Sequence, residues 1–404
     1  MARLPAAEWT KRADLAQLVA ALGAANVRWV GGAVRDTLLE LPVKDIDAAT
    51  PLVPDEVIAR LKQAGIRTVP TGIDHGTVTA LLAGGPVEVT TLRKDVSTDG
   101  RRATVAFASD WRDDAARRDF TINALYAEPN TLEIADWFGG LDDLAARRVS
   151  FIGEARERIR EDHLRILRYY RFQARFGARL DAEGEEACAE LAPMLKGLSR
   201  ERVASELLAI LALPDPHETL ARMHACGVLP VVLPEVTHEG LKAFKGLVAH
   251  EAAQEIEPSA IRRLAALLPP QPKNAEQVAA RLRLSVAQRK HLARLAERNS
   301  TSEGAREGAR VLAYREGHQV ARDLLLLGNL PLDSINGWQI PVFPMKGGEI
   351  VARGVSAGPE VSRVLRAVET RWIAEQFPDR SRVLALLDAE LSDRSATREP
   401  DPRG

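Results

Sequence analysis

The sequence predicts an α+β protein, with a mixed-sheet head followed by an all-helical remainder. Three observations carry that prediction. Short β-rich runs alternate with helical runs in the first part of the chain, strand signals fade after about residue 150, and the later segments repeat their apolar residues at helical spacing. The strand runs are "VRWVG" at 27–31, "KDIDAA" at 44–49, "GTVTALLA" at 76–83 and "PVEVTTL" at 86–92, with helical "PDEVIARLKQAG" between the second and third. Downstream, 155–177, 199–213, 258–267 and 275–297 are rich in Ala, Leu, Arg and Glu and read as helices. "LPPQPKNA" at 268–275 is a helix stop and connector, and the polar, proline-containing 391–404 reads as a disordered tail. The expected division is a head over 1–150, a helical neck over 151–215 and a helical body and tail over 216–390.

A chain of 404 residues is too long for one simple core, and 46% hydrophobic with 27% charged residues is the balance of a globular protein. No apolar run approaches the roughly 20 residues that a membrane span needs. The opening "MARLPAAEWTKR" has no apolar stretch before a small-residue cleavage site, so the expected location is the cytoplasm. Two cysteines, Cys188 and Cys226, offer neither a disulfide framework nor a zinc cluster. The net charge of -1 conceals a local excess: residues 147–179 hold ten arginines and no lysine, against Glu154, Glu157, Glu161 and Asp162. Arginine's planar fork pairs with anions and base edges in a way lysine cannot, so this stretch points to anion or base recognition, with a solvated helix face as the alternative.

The chemistry concentrates near the start. In a strand, Asp45 and Asp47 project from one face while Ile46 points into the core. Two carboxylates a pleat apart repel unless a cation lies between them, and Mg²⁺ takes one or two carboxylates with waters and substrate phosphates. Upstream, "VGGAVRD" leaves a strand and enters a helix. Gly31 and Gly32 let a phosphate approach the backbone, and Arg35 adds a forked cation one turn on. A glycine pair followed by D-x-D is the arrangement for metal-assisted, in-line nucleotidyl transfer. Glu88, flanked by valines, is the candidate third carboxylate.

Several ordered motifs extend this pattern: "GGAVRD", "DID", "HGTVT", "RRDFTINALY", "DWFGGLDDL" and "EDHLRILRYYRF", with a weaker echo in "PVFPMKGGEIVARG" at 341–354. Together they cover roughly 27–180, and the chain resembles the class II tRNA nucleotidyltransferases, or CCA-adding enzymes, of the polymerase-β-like superfamily. The fold this implies is a nucleotidyltransferase head, a neck carrying a nucleotide-selecting helix, and a body and tail that bind RNA. The resemblance implies template-independent addition of CCA to the tRNA acceptor end from CTP and ATP, dependent on Mg²⁺ held by Asp45 and Asp47, with no membrane and no protein partner. One departure is Glu40, which stands where many relatives have glycine, so a small change of loop shape is expected there.

The resemblance also implies roles. Arg118 and Asp119 match positions that contact the incoming nucleotide and its ribose, and Asn123 serves as a turn or cap. Asp162 and Arg165, three apart on one helix, match a protein template that reads the base edge, with Arg168 and Arg171 steadying base or triphosphate. The physics agrees: a carboxylate accepts from the amino group of cytosine or adenine, where uracil and guanine present a carbonyl. The bland alternative is an Asp162–Arg165 ion pair within the helix, worth about 0.3–0.5 kcal/mol. A mobile loop over 93–106 is the family's switch between C and A, although an ordinary hairpin connection fits its composition equally. A poly(A) polymerase, a partial (CC- or A-only) adding enzyme, and an inactive RNA-binding adaptor remain as other readings.

Overall fold

Alternating apolar residues build a seven-stranded sheet from β1 (Arg28–Val30), β2 (Ile46–Thr50), β3 (Arg67–Gly72), β4 (Thr77–Leu82), β5 (Gly85–Thr91), β8 (Tyr126–Ala127) and β9 (Ile134–Ala135). The order is β3-β4-β5-β2-β1-β8-β9, with β2 and β5 parallel and the other neighbours antiparallel. A separate two-stranded ribbon, β6 (Arg93–Thr98) with β7 (Ala103–Phe107), follows β5. In this computed structural model the described residues are 2–98, 103–298 and 308–396. The expected loop at 93–106 is therefore a hairpin, whose tip at 99–102 lies outside the described residues.

The helices of the first part include α1 (Ala13–Leu22), α2 (Gly32–Leu38), α3 (Pro54–Gln63), α4 (Trp111–Ala116), α5 (Gly140–Ala145), α6 (Ala155–Glu161), α7 (Arg165–Phe176), α8 (Ala182–Leu191) and α9 (Arg200–Leu211), followed by His217–Ala225 and Val228–Val232. The continuous helix expected over 155–177 is broken. Asp162 is extended (φ -150°, ψ 104°), and its Oδ1 accepts the Leu164 amide at 3.1 Å, so a local side-chain cap stops α6 and starts α7. The buried side of α7 carries Tyr169, Phe172 and Phe176. Tyr169 stacks on Phe151 at 5.6 Å, and Phe172 meets Phe120 edge-on at 5.4 Å. Since Phe120 belongs to the turn before β8, this ring cluster fastens the neck helices to the sheet.

The chain divides into two compact units at Pro234/Glu235, later than the expected boundaries at 150 and 215. Sheet and neck thus belong to one unit. The second unit is helical in its described residues, from His238–Ala253 to Arg380–Ala396. Its interior pairs Arg262 and Arg263 with Glu251, and Arg262 with Asp323, all about 1% exposed. The segment 275–297 is two helices, Pro272–Arg281 and Val286–Ala296, because Arg283 turns left-handed (φ 51°) and Ser285 opens a new capping box. The final helix reaches Ala396, past the expected start of the tail at 391; residues 397–404 lie outside the described set.

After α2 the backbone reverses through Glu40 at φ 55°, where its amide donates to the Thr37 carbonyl and that of Leu41 to Asp36. This is the left-handed helix stop that glycine accepts without a Cβ clash. The side chain of Glu40 is exposed, so its conformational strain has no compensating burial. Glu40→Gly is expected to stabilise the protein by about 0.5–1 kcal/mol, read as a higher denaturant midpoint at unchanged slope; a lower midpoint would contradict the strain.

Candidate active site

Strand β2 lies between β1 and β5, and that position assembles the acids. Asp47 is in register with Val30 on one side and with Glu88 on the other. Ile46 and Ala48 are buried, Asp47 is half-buried, and Asp45 and Glu88 are exposed; Asp45 stands just before the strand rather than inside it. Burial, followed by the nearby Glu88 carboxylate, lifts the Asp47 pKa to about 6, with Arg118 pulling it down and Asp45 adding to the rise. Asp47 therefore carries charge that its surroundings do not fully balance. Among the described residues no group of three or more His, Cys, Asp or Glu side chains forms a metal cage by itself. Oxygen donors from two carboxylates, completed by substrate phosphates, are nevertheless a fitting set for Mg²⁺.

Gly31 leaves β1 at φ 69° and ψ -122°, a conformation reserved for glycine. A Cβ placed there would sit 3.4 Å from Nη1 of Arg118, so the bare backbone and this guanidinium face each other. Gly32 opens α2 beside them. Arg118 is held firmly: Nε donates to the Tyr126 hydroxyl at 2.9 Å, Nη2 to Asp114 at 3.3 Å, and the guanidinium lies 5.2 Å over the Tyr126 ring. Burial works against its charge, but Tyr126 and Asp114 outweigh burial and hold its pKa above the ordinary value. Asp114 and Tyr126 were not singled out from the sequence.

Arg35 differs from its expected place. It is 4% exposed, its Nε donates to Asp36 at 2.8 Å and its Nη1 to the Asn123 side chain. Phe172 and Phe176 lie 5.2 and 4.6 Å from its guanidinium. Arg35 braces α2 against α7 instead of presenting an open cation to phosphate. Asn123 is likewise more than a cap, since its amide nitrogen donates to Asp119 at 3.0 Å while its oxygen receives Arg35.

The residues 117–119 are gripped from the neck. Arg158 donates to the Arg118 carbonyl at 3.1 Å and Arg165 to the Arg117 carbonyl at 3.2 Å, while Arg168 places Nε and Nη2 on Asp119 Oδ2 at 2.7 and 2.6 Å. Burial would raise the Asp119 pKa, yet Arg168 and Asn123 hold it below the usual carboxylate range. Asp119 is thus an ion-paired, buried acid. Asp162 and Arg165 do not pair with each other: Asp162 Oδ2 receives Arg202 at 2.7 Å, and Arg165 binds Glu161. A cavity of about 300 Å³ is lined by Arg118, Asp119, Asp162, Arg165 and Arg168, joined by Arg93, Asp114 and Arg117. Arg35 and Arg171 do not line it; Arg171 is bound to Glu206 at 2.6 Å. The repeated charges in "WRDDAARRD" were the available signal for Asp114 and Arg117.

The displaced Asp47 pKa has a consequence for stability. The folded pKa of about 6 exceeds the unfolded value of 3.8, so the native state binds the proton more tightly and loses stability as pH rises between them. Asp47→Asn is expected to stabilise the metal-free protein above pH 6 by roughly 1–2 kcal/mol after allowance for solvent screening, and to give no gain below pH 4. Thermal melts in chelator at the two pH values check this; an equal effect at both would contradict it.

Comparison with known proteins agrees with this geometry. A family profile described as "Poly A polymerase head domain" matches residues 27–150, and one described as "Probable RNA and SrmB- binding site of polymerase A" matches 177–239. The mitochondrial CCA tRNA nucleotidyltransferase 1 of Mus musculus is 35% identical over 369 residues, covering 86% of this chain and 82% of the mouse protein. The solved CCA-adding enzyme of Bacillus stearothermophilus in complex with CTP superposes with a TM-score of 0.74 at 24% identity, covering 96% of this chain and 100% of the other. The Thermotoga maritima CCA-adding enzyme complexed with tRNA gives 0.71 at 22% identity, covering 93% and 95%. These two likenesses report a shared fold, whereas the mouse relative is close enough over its length to fix kinship. This chain belongs to the CCA tRNA nucleotidyltransferase family.

Proposed function

We propose that the first unit catalyses template-independent addition of C, C and A to tRNA 3′ ends from CTP and ATP, with Asp45, Asp47 and Glu88 as its acidic centre. The RNA 3′-oxygen bonds to the α-phosphorus, the bridging bond to the β-phosphate breaks, and pyrophosphate leaves. Asp45 and Asp47 are the residues to hold Mg²⁺, which would supply Lewis-acid stabilisation of the phosphate charge. Gly31 and Gly32 admit the triphosphate to the backbone, and Arg118 offers Nη1 to it. Asp162 and Arg165 read the base edge, with Arg168 and Asp119 as the wall behind.

The observation that carries base reading is that Asp162 and Arg165 line one cavity without pairing with each other. Asp162 is held by Arg202 and Arg165 by Glu161, so base reading requires those ion pairs to give way to the base edge. The second unit is read as the grip on tRNA through shape and phosphates. The CTP and tRNA complexes of the two bacterial enzymes support these substrates. The two free thiols, Cys188 and Cys226, fit a reducing compartment, and the mouse relative is mitochondrial.

Purified protein given a tRNA lacking its end, with CTP and ATP alone and together, tests the activity. The expected product is CC with CTP alone and CCA with both; a long tail with ATP alone would mark a poly(A) polymerase. Asp45→Ala and Asp47→Ala should each lower addition by about a thousandfold while tRNA binding persists. Asp162→Asn should raise UTP use relative to CTP by about tenfold or more, and an unchanged ratio would remove Asp162 from base reading.

A further inference from the structure

Arg93 is the first residue of β6, at the root of the ribbon, and Asp114 on α4 is a buried acid 3% exposed. Asp114 collects three donors from separate parts of the chain. Its Oδ1 accepts the backbone amide of Arg93 at 3.1 Å; its Oδ2 accepts the Tyr126 hydroxyl at 2.5 Å and Arg118 Nη2 at 3.3 Å. Tyr126 in turn accepts Arg118 Nε at 2.9 Å, so two guanidinium nitrogens are fixed through this one acid and its tyrosine partner. The third nitrogen, Nη1, is the one that faces Gly31.

We propose that Asp114 is a positioning residue that couples the root of the β6–β7 ribbon to the triphosphate-facing arginine, Arg118. The proposal rests on Arg118 serving the nucleotide, as set out under the function above. Both oxygens of one short side chain are involved, and a carboxylate on a rigid helix cannot follow two partners in opposite directions. A shift of Arg93 therefore drags on Asp114 and re-aims Nη1. Conversely, a phosphate that draws Arg118 toward Gly31 pulls on the same acid and changes the hold on the Arg93 amide. Arg93, Asp114 and Arg118 all line the cavity, so the coupling runs along its wall.

A double-mutant cycle on CTP binding separates this from general support. Asp114→Asn keeps the shape but weakens the charge-assisted bond, and is expected to reduce CTP affinity about tenfold in an otherwise native chain and less than about twofold in an Arg118→Ala background. Tyr126→Phe, which leaves the Arg93 bond intact, should show the same non-additivity and guards against misfolding of the first variant. Hydrogen exchange over 92–98 should slow on CTP binding in the native chain and stop responding in Asp114→Asn at saturating CTP. Additive losses, or a ribbon whose exchange still responds in that variant, would overturn the coupling alone. If Arg118→Ala leaves CTP affinity unchanged, the coupling falls together with the reading of Arg118.

Discussion

Three arginines of the neck close on three consecutive residues of the head, and the arrangement of the site depends on that grip. Arg165, Arg158 and Arg168 reach, respectively, the carbonyls of Arg117 and Arg118 and the carboxylate of Asp119. Hydrogen bonds with one charged partner are about twice as strong as neutral ones, and here they act on one short turn. Arg118 faces Gly31 on one side of the cavity, and the α6–α7 break with Asp162 and Arg165 forms the other. Because the turn carrying Arg118 is tied to the helices flanking that break, the two sides hold a fixed separation. The clustered rings of Phe120, Phe151, Tyr169 and Phe172 support the grip with apolar packing.

Acids near this grip fall into two kinds. Asp36, Asp114, Asp119 and Glu206 each hold an arginine: Asp36 takes Arg35 and Arg175, Asp114 takes Arg118, Asp119 takes Arg168, and Glu206 takes Arg171. Among the described residues Asp45, Asp47 and Glu88 form no ion pair of this kind, and Asp47 shows the electrostatic cost in its raised pKa. A fold able to pair so many carboxylates has left Asp47 and Glu88 in register across β2 and β5, with Asp45 just before the strand and close enough to add to the Asp47 shift. Repulsion retained in this way is destabilising by itself, and it is the feature on which the proposed acidic centre rests.

The sequence made the central strands legible because alternation is a local property: "KDIDAA" and "PVEVTTL" show their outward acids without reference to the rest of the chain. The two-residue strands β8 and β9 escaped, since two residues cannot display a period. The break at Asp162 escaped for another reason. Helical periodicity runs through it, and the stop is made by one side chain capping its own turn. Arg35 was read as a phosphate cation from its spacing after Gly31 and Gly32, but its place is set by Phe172, Phe176 and Asn123, which no local pattern reveals. Motif order thus brought out the candidate residues, while tertiary contacts decided which of the cations line the cavity.

The arginine-rich stretch at 147–179 illustrates the same limit on counting charges. Its cations suggested an anion-binding surface, yet Arg148, Arg156, Arg158, Arg165, Arg168, Arg171 and Arg175 all hold acidic partners within the unit. Several also serve a second group. Arg165 binds Glu161 and the carbonyls of Arg158 and Arg117, and Arg168, Arg171 and Arg175 lie over Phe172 or Phe176. A lysine ammonium has neither the fork to reach divergent partners nor the flat face to cover a ring. The preference for arginine is therefore first a requirement of the joint between sheet and helices. Only a few of these guanidinium groups, Arg165 and Arg168, have internal bonds that also place them on the wall of the cavity, where Arg118 joins them.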